Sequence, residues 1–266
     1  MHKSPLFSII TVCKNSANTI EKTLKSVEMQ SYSPIEYIVI DCISHDGTLD
    51  LIKSCAAVSK WVSEPDEGVA DAFNKGISLA SGEWIGILNA DDWYEKDAIA
   101  MVAQHIEHAD VIHGPVRYWR DDGTKQIFHP NQSVLRREMS INHPSVFVRR
   151  AVYKDVGGFD RSFRLAMDYE LLLRILKSGY RFHCISKYVL ANMRCGGLSD
   201  IYWREALGEV MRAKELHYPS IVMHKVYYCF QIFRSCVQKI LTMFGMQFCV
   251  NYYRRFFSLM KKNGQN

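Results

Sequence analysis

Over roughly its first hundred residues the chain alternates apolar runs with amphipathic segments, and this alternation restricts its fold more than any other feature. Residues 7–12 (Phe-Ser-Ile-Ile-Thr-Val) are apolar and β-branched and read as a strand. Residues 20–30 then place Ile20, Thr23, Leu24 and Val27 at helical spacing. A second strand is expected at residues 37–40, ending in Asp41, with Asp46 or Thr48 placed to cap a helix through Leu51 and Ile52. Residues 61–63 predict a short third strand, and residues 69–79 a helix through Ala72, Phe73 and Ile77. A fourth apolar run, Ile85-Gly-Ile-Leu, follows. Repeated units of this kind require a mostly parallel sheet wound by right-handed crossovers.

The fourth run ends abruptly in Asn89-Ala-Asp91-Asp92-Trp93-Tyr94. In an open α/β sheet ligands bind at the carboxyl ends of the strands, which puts both acids at the lip of that crevice. Adjacent side chains on extended backbone point to opposite faces, so the two have divided roles. One can hold a hard cation, and the other can reach a ribose hydroxyl or a bound water. An Asp–Asp turn capping the next helix is the plain alternative. Asp41 and Asp66 also fall at or just beyond strand ends, where either alone could be a cap. Three acidic loops on one sheet edge suit a nucleotide held by carboxylates, its diphosphate neutralised by a divalent cation. Neither G-x-x-x-x-G-K-[ST] nor G-x-G-x-x-G occurs, so metal and side chains would replace a glycine-rich phosphate cradle.

Charge separates the chain into two parts. Residues 216–266 hold Lys225, Arg234, Lys239, Arg254, Arg255, Lys261 and Lys262 and no acid, which leaves residues 1–215 at −2 within a total of +5. A neutral-to-acidic domain with a basic tail is expected, and no nucleic-acid partner. The 8 Cys show no C-x-x-C and no paired Cys/His ligand spacing, so neither a zinc site nor a disulfide framework is indicated. The apolar stretch at residues 6–13 is short, contains Ser8 and Thr11 and lacks a cleavage site, unlike a secretory signal. With no run of ~18 apolar residues, a spanning helix is not expected, and a reducing cytoplasm is the expected setting.

Four blocks carry a family resemblance: Ser8-Ile-Ile-Thr-Val-Cys-Lys-Asn, Glu36-Tyr-Ile-Val-Ile-Asp-Cys-Ile-Ser-His-Asp-Gly-Thr, Glu64-Pro-Asp-Glu-Gly-Val-Ala-Asp-Ala-Phe-Asn-Lys-Gly and Leu88-Asn-Ala-Asp-Asp-Trp-Tyr. Together they resemble the successive blocks of family 2 glycosyltransferases of the bacterial surface-polysaccharide type, over roughly residues 6–200. The resemblance implies an α/β fold of GT-A type: a Rossmann-type, mostly parallel sheet flanked by helices. It makes residues 1–215 the transferase domain, with a nucleotide-sugar half to about residue 115 and an acceptor half beyond. It implies a nucleotide-diphosphate sugar donor, with Thr11 and Asp41 at the base, Asp91 at the ribose and Asp92 on Mn²⁺ or Mg²⁺. Asp71, Asn74 and Lys75 match a block lining the donor pocket. Cys42-Ile43 departs from the small or acidic pair often found in the second block.

The second half supplies the acceptor chemistry. Residues 110–114 read as a strand leading into a hairpin that turns at Asp121-Asp122-Gly. Ala166-Met-Asp-Tyr-Glu-Leu-Leu-Leu-Arg places Asp168 at the start of a helix, where its charge favours the helix dipole. The resemblance makes Asp168 the general base, with Met167 replacing the first acid of the usual pair. His143 is either a polar core residue packed on Pro144 or a lining of the acceptor site. Arg194-Cys-Gly-Gly-Leu-Ser is either a mobile loop near the donor diphosphate, as similar enzymes carry, or a linker. Glu170 is the nearby second carboxylate that a retaining route would need, but two residues along a helix turn it away from Asp168, so inversion is expected. A sugar nucleotidyltransferase would want a glycine-rich loop where Thr11-Val-Cys-Lys-Asn-Ser stands, and a non-catalytic membrane-associated scaffold would have no need of Asp91, Asp92 and Asp168.

The tail interleaves aromatics and aliphatics such as Tyr227, Phe230, Phe233, Phe244, Phe248 and Phe256 with basic residues, and Gly245 divides it. That pattern suits helices lying in an anionic membrane interface. The expected enzyme is therefore peripheral on the inner face of the cell membrane, acting on a glycan or lipid-linked acceptor. Packing of the tail on the catalytic domain or on a second subunit is the alternative.

Overall fold

The computed structural model describes residues 4–107, 109–120, 122–219 and 221–243. Gly245 and Asp121, both expected to shape turns, lie outside them. Strands β1 (Phe7–Cys13), β2 (Ile35–Asp41), β3 (Val58–Ser63) and β4 (Trp84–Asn89) alternate with helices α1 (Ile20–Glu28), α2 (Thr48–Ser54) and α3 (Val69–Leu79). β1 pairs in parallel with both β2 and β4, and β2 with β3. A two-residue strand β5 (Trp93–Tyr94) and helix α4 (Ala98–Ala103) follow.

The second half extends the same sheet. β6 (Val111–His113), β9 (Phe147–Arg149) and β10 (Phe182–Cys184) complete seven strands in the order β10-β6-β9-β4-β1-β2-β3. β9 alone runs antiparallel to its neighbours β4 and β6, so the sheet is mostly parallel, as expected. The hairpin β7 (Val116–Trp119) and β8 (Lys125–Phe128) joins β5 and β11 (Ala191–Arg194) in a separate four-stranded sheet. Helices α5 (Arg150–Val156) and α6 (Met167–Lys177) lead on to α7 (Leu198–Ile201), α8 (Trp203–His217) and α9 (Ile221–Met243).

Alternation along each strand makes two cores. Ile10, Ile38, Ile40, Ile85 and Ile87 point to the face covered by α3 and α6. Phe7, Ile9, Tyr37, Val39 and Leu88 point to the face covered by α1 and α4. Every residue of β1 is buried, as expected for a parallel strand covered on both faces.

Glu36 fastens the amino ends of the strands. Its carboxylate accepts from Ser8 Oγ (2.5 Å), Lys60 Nζ (2.7 Å) and Ser81 N (2.8 Å). Burial pushes its pKa up, but the hydrogen bonds from Lys60, Ser8 and Ser81 outweigh it and hold the group at about 2. A depressed carboxylate pKa adds stability above its unfolded value and loses it as pH falls towards the folded one. Glu36→Gln is therefore expected to cost about 1–3 kcal/mol at neutral pH. Melting temperatures of the two proteins should converge as pH drops from the usual carboxylate range towards 2.

Candidate active site

The loops after β1 and β2 are laced together at the carboxyl edge of the sheet. Asn15 N–H donates to Ser44 Oγ (2.7 Å), Ser16 N–H to Thr48 Oγ1 (2.7 Å) and Ala17 N–H to Asp46 Oδ2 (2.9 Å). Asp41 is fully buried and accepts from Ser44 N (3.0 Å), Ser44 Oγ (2.5 Å) and Ser63 Oγ (2.6 Å). Burial raises its pKa, and those hydrogen bonds more than reverse this, so the carboxylate stays ionised. Thr11 is also fully buried, its hydroxyl 3.0 Å from Tyr37 Oη. Both residues expected at the nucleotide base thus shape the floor of this edge from within. Ile43, in left-handed backbone at φ 46°, and Lys14 present exposed side chains there.

Asp91 and Asp92 follow β4 at the same edge. Asp92 is buried, with Oδ1 accepting from the Arg194 N–H (3.2 Å) and Oδ2 from Asn89 Nδ2 (3.3 Å). Its carbonyl accepts from Thr23 Oγ1 (2.6 Å). Asp91 is more open. Burial raises both pKa values, and the Asp91 charge raises that of Asp92 further.

The third block divides between framing and display. Asn74 Nδ2 donates to Phe159 O (2.8 Å) while Asn74 Oδ1 accepts from Phe159 N (2.8 Å), so one amide ties α3 to the loop before α6. Gly158 is needed beside it, because a Cβ there would strike Asn74 Oδ1. Lys75 Nζ bridges Glu64 Oε1 (2.9 Å) and Asp71 Oδ2 (3.5 Å), and Asp71 also meets Arg161 at 3.2 Å. The His143 ring stacks on Phe73 at 5.3 Å and 5°, and burial lowers its pKa to about 4. It is therefore neutral and packed within an aromatic group.

Asp168 stands in the first turn of α6, half-buried, with Oδ1 accepting from the Tyr169 N–H (2.8 Å). Burial lifts its pKa to about 6, and the nearby Glu209 charge adds to this. Glu170 is turned into the protein, where it pairs with Arg174 (2.7 Å) and His217 (2.8 Å). Beyond Asp92 stands a basic and aromatic wall. Lys22 Nζ lies 3.2 Å over Trp93, Lys125 Nζ 4.0 Å over Trp119, and the two rings are 5.3 Å apart.

Residues 8–172 match the profile of glycosyl transferase family 2. The chain belongs to that family. A PGL/p-HBAD biosynthesis glycosyltransferase of Mycobacterium bovis is 31% identical over 210 residues, covering 74% of this chain and 80% of that protein. The mannosyltransferase PcManGT from Pyrobaculum calidifontis, solved with GDP-Man and Mn²⁺, superposes with a TM-score of 0.65 at 17% identity, over 97% of this chain and 85% of that one. S. aureus TarS 1–349 matches in its complex with UDP-GlcNAc at a TM-score of 0.64 and 18% identity (84% and 70% of the chains). In its complex with UDP the values are 0.61 and 21%, and the match spans 64% of the TarS chain. These solved structures agree with the GT-A fold.

Two features beside the candidate residues escape sequence reasoning. The Lys22–Trp93–Trp119–Lys125 wall is assembled from α1, β5, β7 and β8. Glu209 reaches Asp168's helix from α8, over a separation of 43 residues or more. A divalent cation fits the acid pair: Asp91 and Asp92 are hard oxygen donors whose charges burial leaves poorly neutralised. Among the described residues no three His, Cys, Asp or Glu side chains converge on a metal position. An ion held by one or two carboxylates draws the rest of its shell from phosphate oxygens and water.

Asn74 provides a test of framing against donor contact. Asn74→Ala is expected to lower stability by about 1–3 kcal/mol, since it strands the buried Phe159 N–H and C=O. The Michaelis constant for the donor should stay near wild type. A raised donor constant with an unchanged melting temperature would return Asn74 to the donor pocket.

Proposed function

We propose that this family 2 enzyme transfers a hexosyl or N-acetylhexosaminyl group, with inversion, from a nucleotide-diphosphate sugar to a hydroxyl of a lipid-linked or growing surface glycan. The observation that carries this reading is Asp168: a half-buried carboxyl raised to about 6, with Glu170 tied to Arg174 and His217. One carboxylate is available on that helix face, as a single displacement requires. Asp168 takes the proton from the acceptor hydroxyl as its oxygen bonds to the anomeric carbon. The bond from that carbon to the diphosphate breaks, and the nucleoside diphosphate leaves with the electron pair. Asp92 would hold Mn²⁺ or Mg²⁺, which when bound supplies charge stabilisation to the departing diphosphate. In this reading Asp92 is the principal ligand and Asp91 sits at the ribose. Lys22, Lys125 and Arg194 add positive charge on the same side. Asp41 and Thr11 support the base pocket, and Asp71 and Lys75 its neighbouring wall. The UDP-GlcNAc and GDP-Man bound to the neighbours support the donor class and leave the base and sugar open.

Transfer should rise with pH through about 6 and level off above it, because the base works ionised. Asp168→Asn is expected to lose about 10²–10⁴-fold in turnover while still binding donor. Its melting temperature should match or exceed wild type above pH 6, since a raised carboxyl pKa disfavours the ionised folded state there. Loss of donor binding with turnover intact would make Asp168 a pocket residue. Asp91→Asn and Asp92→Asn are expected to abolish the added thermal stability that Mn²⁺ gives with a nucleoside diphosphate. Wild-type stabilisation in both would remove the cation from this pair.

Peripheral attachment at the inner membrane face belongs to the same proposal. No helix among the described residues is long and apolar enough to cross a membrane. On α9, Val226, Phe230, Phe233 and Ile240 are all exposed. At 3.6 residues per turn they form one stripe, while Tyr227 and Gln231 face α8 and Glu138. One side of α9 packs on the enzyme, and the other offers apolar groups to an interface. Flotation with anionic vesicles should carry the full chain and release it as salt rises. Phe230→Glu with Phe233→Glu should lose flotation with the melting temperature kept. Unchanged flotation, or dissociation of a dimer by the same pair, would favour the packing alternative.

A further inference from the structure

Helix α6 starts without a capping side chain. Ala166 holds the cap position and offers no oxygen to the free N–H groups of the first turn. Those immediately preceding the helix are met from α8. Glu209 accepts from Arg164 N–H at Oε1 (2.9 Å) and Oε2 (3.1 Å), and at Oε2 from Leu165 N–H (2.7 Å) and Ala166 N–H (2.8 Å). One carboxylate therefore immobilises three consecutive peptide units, the last of them two residues before Asp168. Its charge lies at the positive end of the helix, where it is favourable. The other end of α8 is fixed to the same helix through His217 Nε2 and Glu170 Oε1 (2.8 Å).

We infer that Glu209 is a positioning residue for the proposed base, setting the place of Asp168 by holding the backbone that leads into it. The inference rests on Asp168 being the base. A misplaced base loses rate steeply, because proton transfer needs hydrogen-bond reach of the acceptor hydroxyl. Electrostatics add a second link, since the Glu209 charge favours the protonated form of Asp168. Other charged groups around this end of α6 are engaged elsewhere. Arg212 donates to Ser162 O (2.7 Å) and covers Phe163, Asp160 accepts from Ser162 N–H (2.8 Å), and Arg161 meets Glu67 and Asp71. Arg164 lies over Tyr202, and Glu138 accepts from Tyr227 Oη (3.0 Å). Glu170 is paired with Arg174 and His217.

Glu209→Gln and Glu209→Asp in the full chain test this. A ¹³C-detected titration follows the Asp168 carboxyl directly and needs no substrate. UDP-GlcNAc and GDP-mannose hydrolysis with Mn²⁺ gives turnover, with water in place of the acceptor. In Glu209→Gln the Asp168 titration should move to lower pH and turnover should fall about tenfold or more, with the donor Michaelis constant within about twofold. Glu209→Asp keeps the charge but is one methylene shorter, so it should keep the titration midpoint and still lose turnover. A purely structural cap would lower the melting temperature and leave the titration and donor-saturated turnover of the folded protein unchanged, which would overturn the inference. If Glu209→Gln does not fold, Glu209→Asp decides: full turnover there overturns it. The two readings fail separately. Wild-type turnover in Asp168→Asn sinks the base itself, whereas an inactive Asp168→Asn beside a fully active Glu209→Gln sinks only the role of Glu209.

Discussion

The close contact of β9 with β4 is the constraint on which the rest of the molecule depends. Gly86 of β4 lies opposite Phe147 of β9, and a Cβ at Gly86 would stand 2.7 Å from both Phe147 Cε1 and Tyr94 Oη. Glycine at that point lets an antiparallel strand enter the middle of an otherwise parallel sheet. The second half of the fold is thereby joined to the first along a shared strand edge. α5 begins at the residue after β9, and the loop that follows is tied back to α3 by Asn74. This short path delivers α6 and Asp168 to the α3 face of the sheet, while β4 carries the acid pair to its carboxyl edge.

The first half of the fold was legible because its strands are covered on both faces and its helices are amphipathic. Residues 69–79 fold as the helix their spacing predicts, and the acid pair falls directly after the fourth strand. β9 and β11 were not legible. Each has three or four residues, too few to show a period, and each is defined by pairing with strands distant in sequence. The hairpin after residue 114 was expected, but its placement in a second sheet depends on β5 and β11. Among site residues, position was easier to read than use. Thr11 and Asp41 lie at the expected edge, yet Tyr37, Ser44 and Ser63 take their polar atoms. Asn74 was recognised by its block, but the Phe159 backbone it clamps lies 85 residues away. Glu209 has no motif at all, because its partners are backbone N–H groups that any sequence would supply.

Six carboxyls of this protein fall into two sets by how the fold treats their charge. Glu36, Asp41 and Asp71 have lowered pKa values: each is met by hydroxyls, amides or cations that more than offset the cost of burial. Asp91, Asp92 and Asp168 have raised values, with burial as the main cause and too few donors to offset it. The first set frames the strand ends and loops. In the proposed function the second is completed by ligands: a cation at the acid pair and a hydroxyl proton at Asp168. Glu209 joins the sets, since it is satisfied by three peptide N–H groups while its own charge bears on Asp168. Helix α8 therefore holds the backbone that leads into Asp168 as well as packing on α6. Because α9 packs against α8, any surface that binds the exposed stripe of α9 lies one helix away from Asp168.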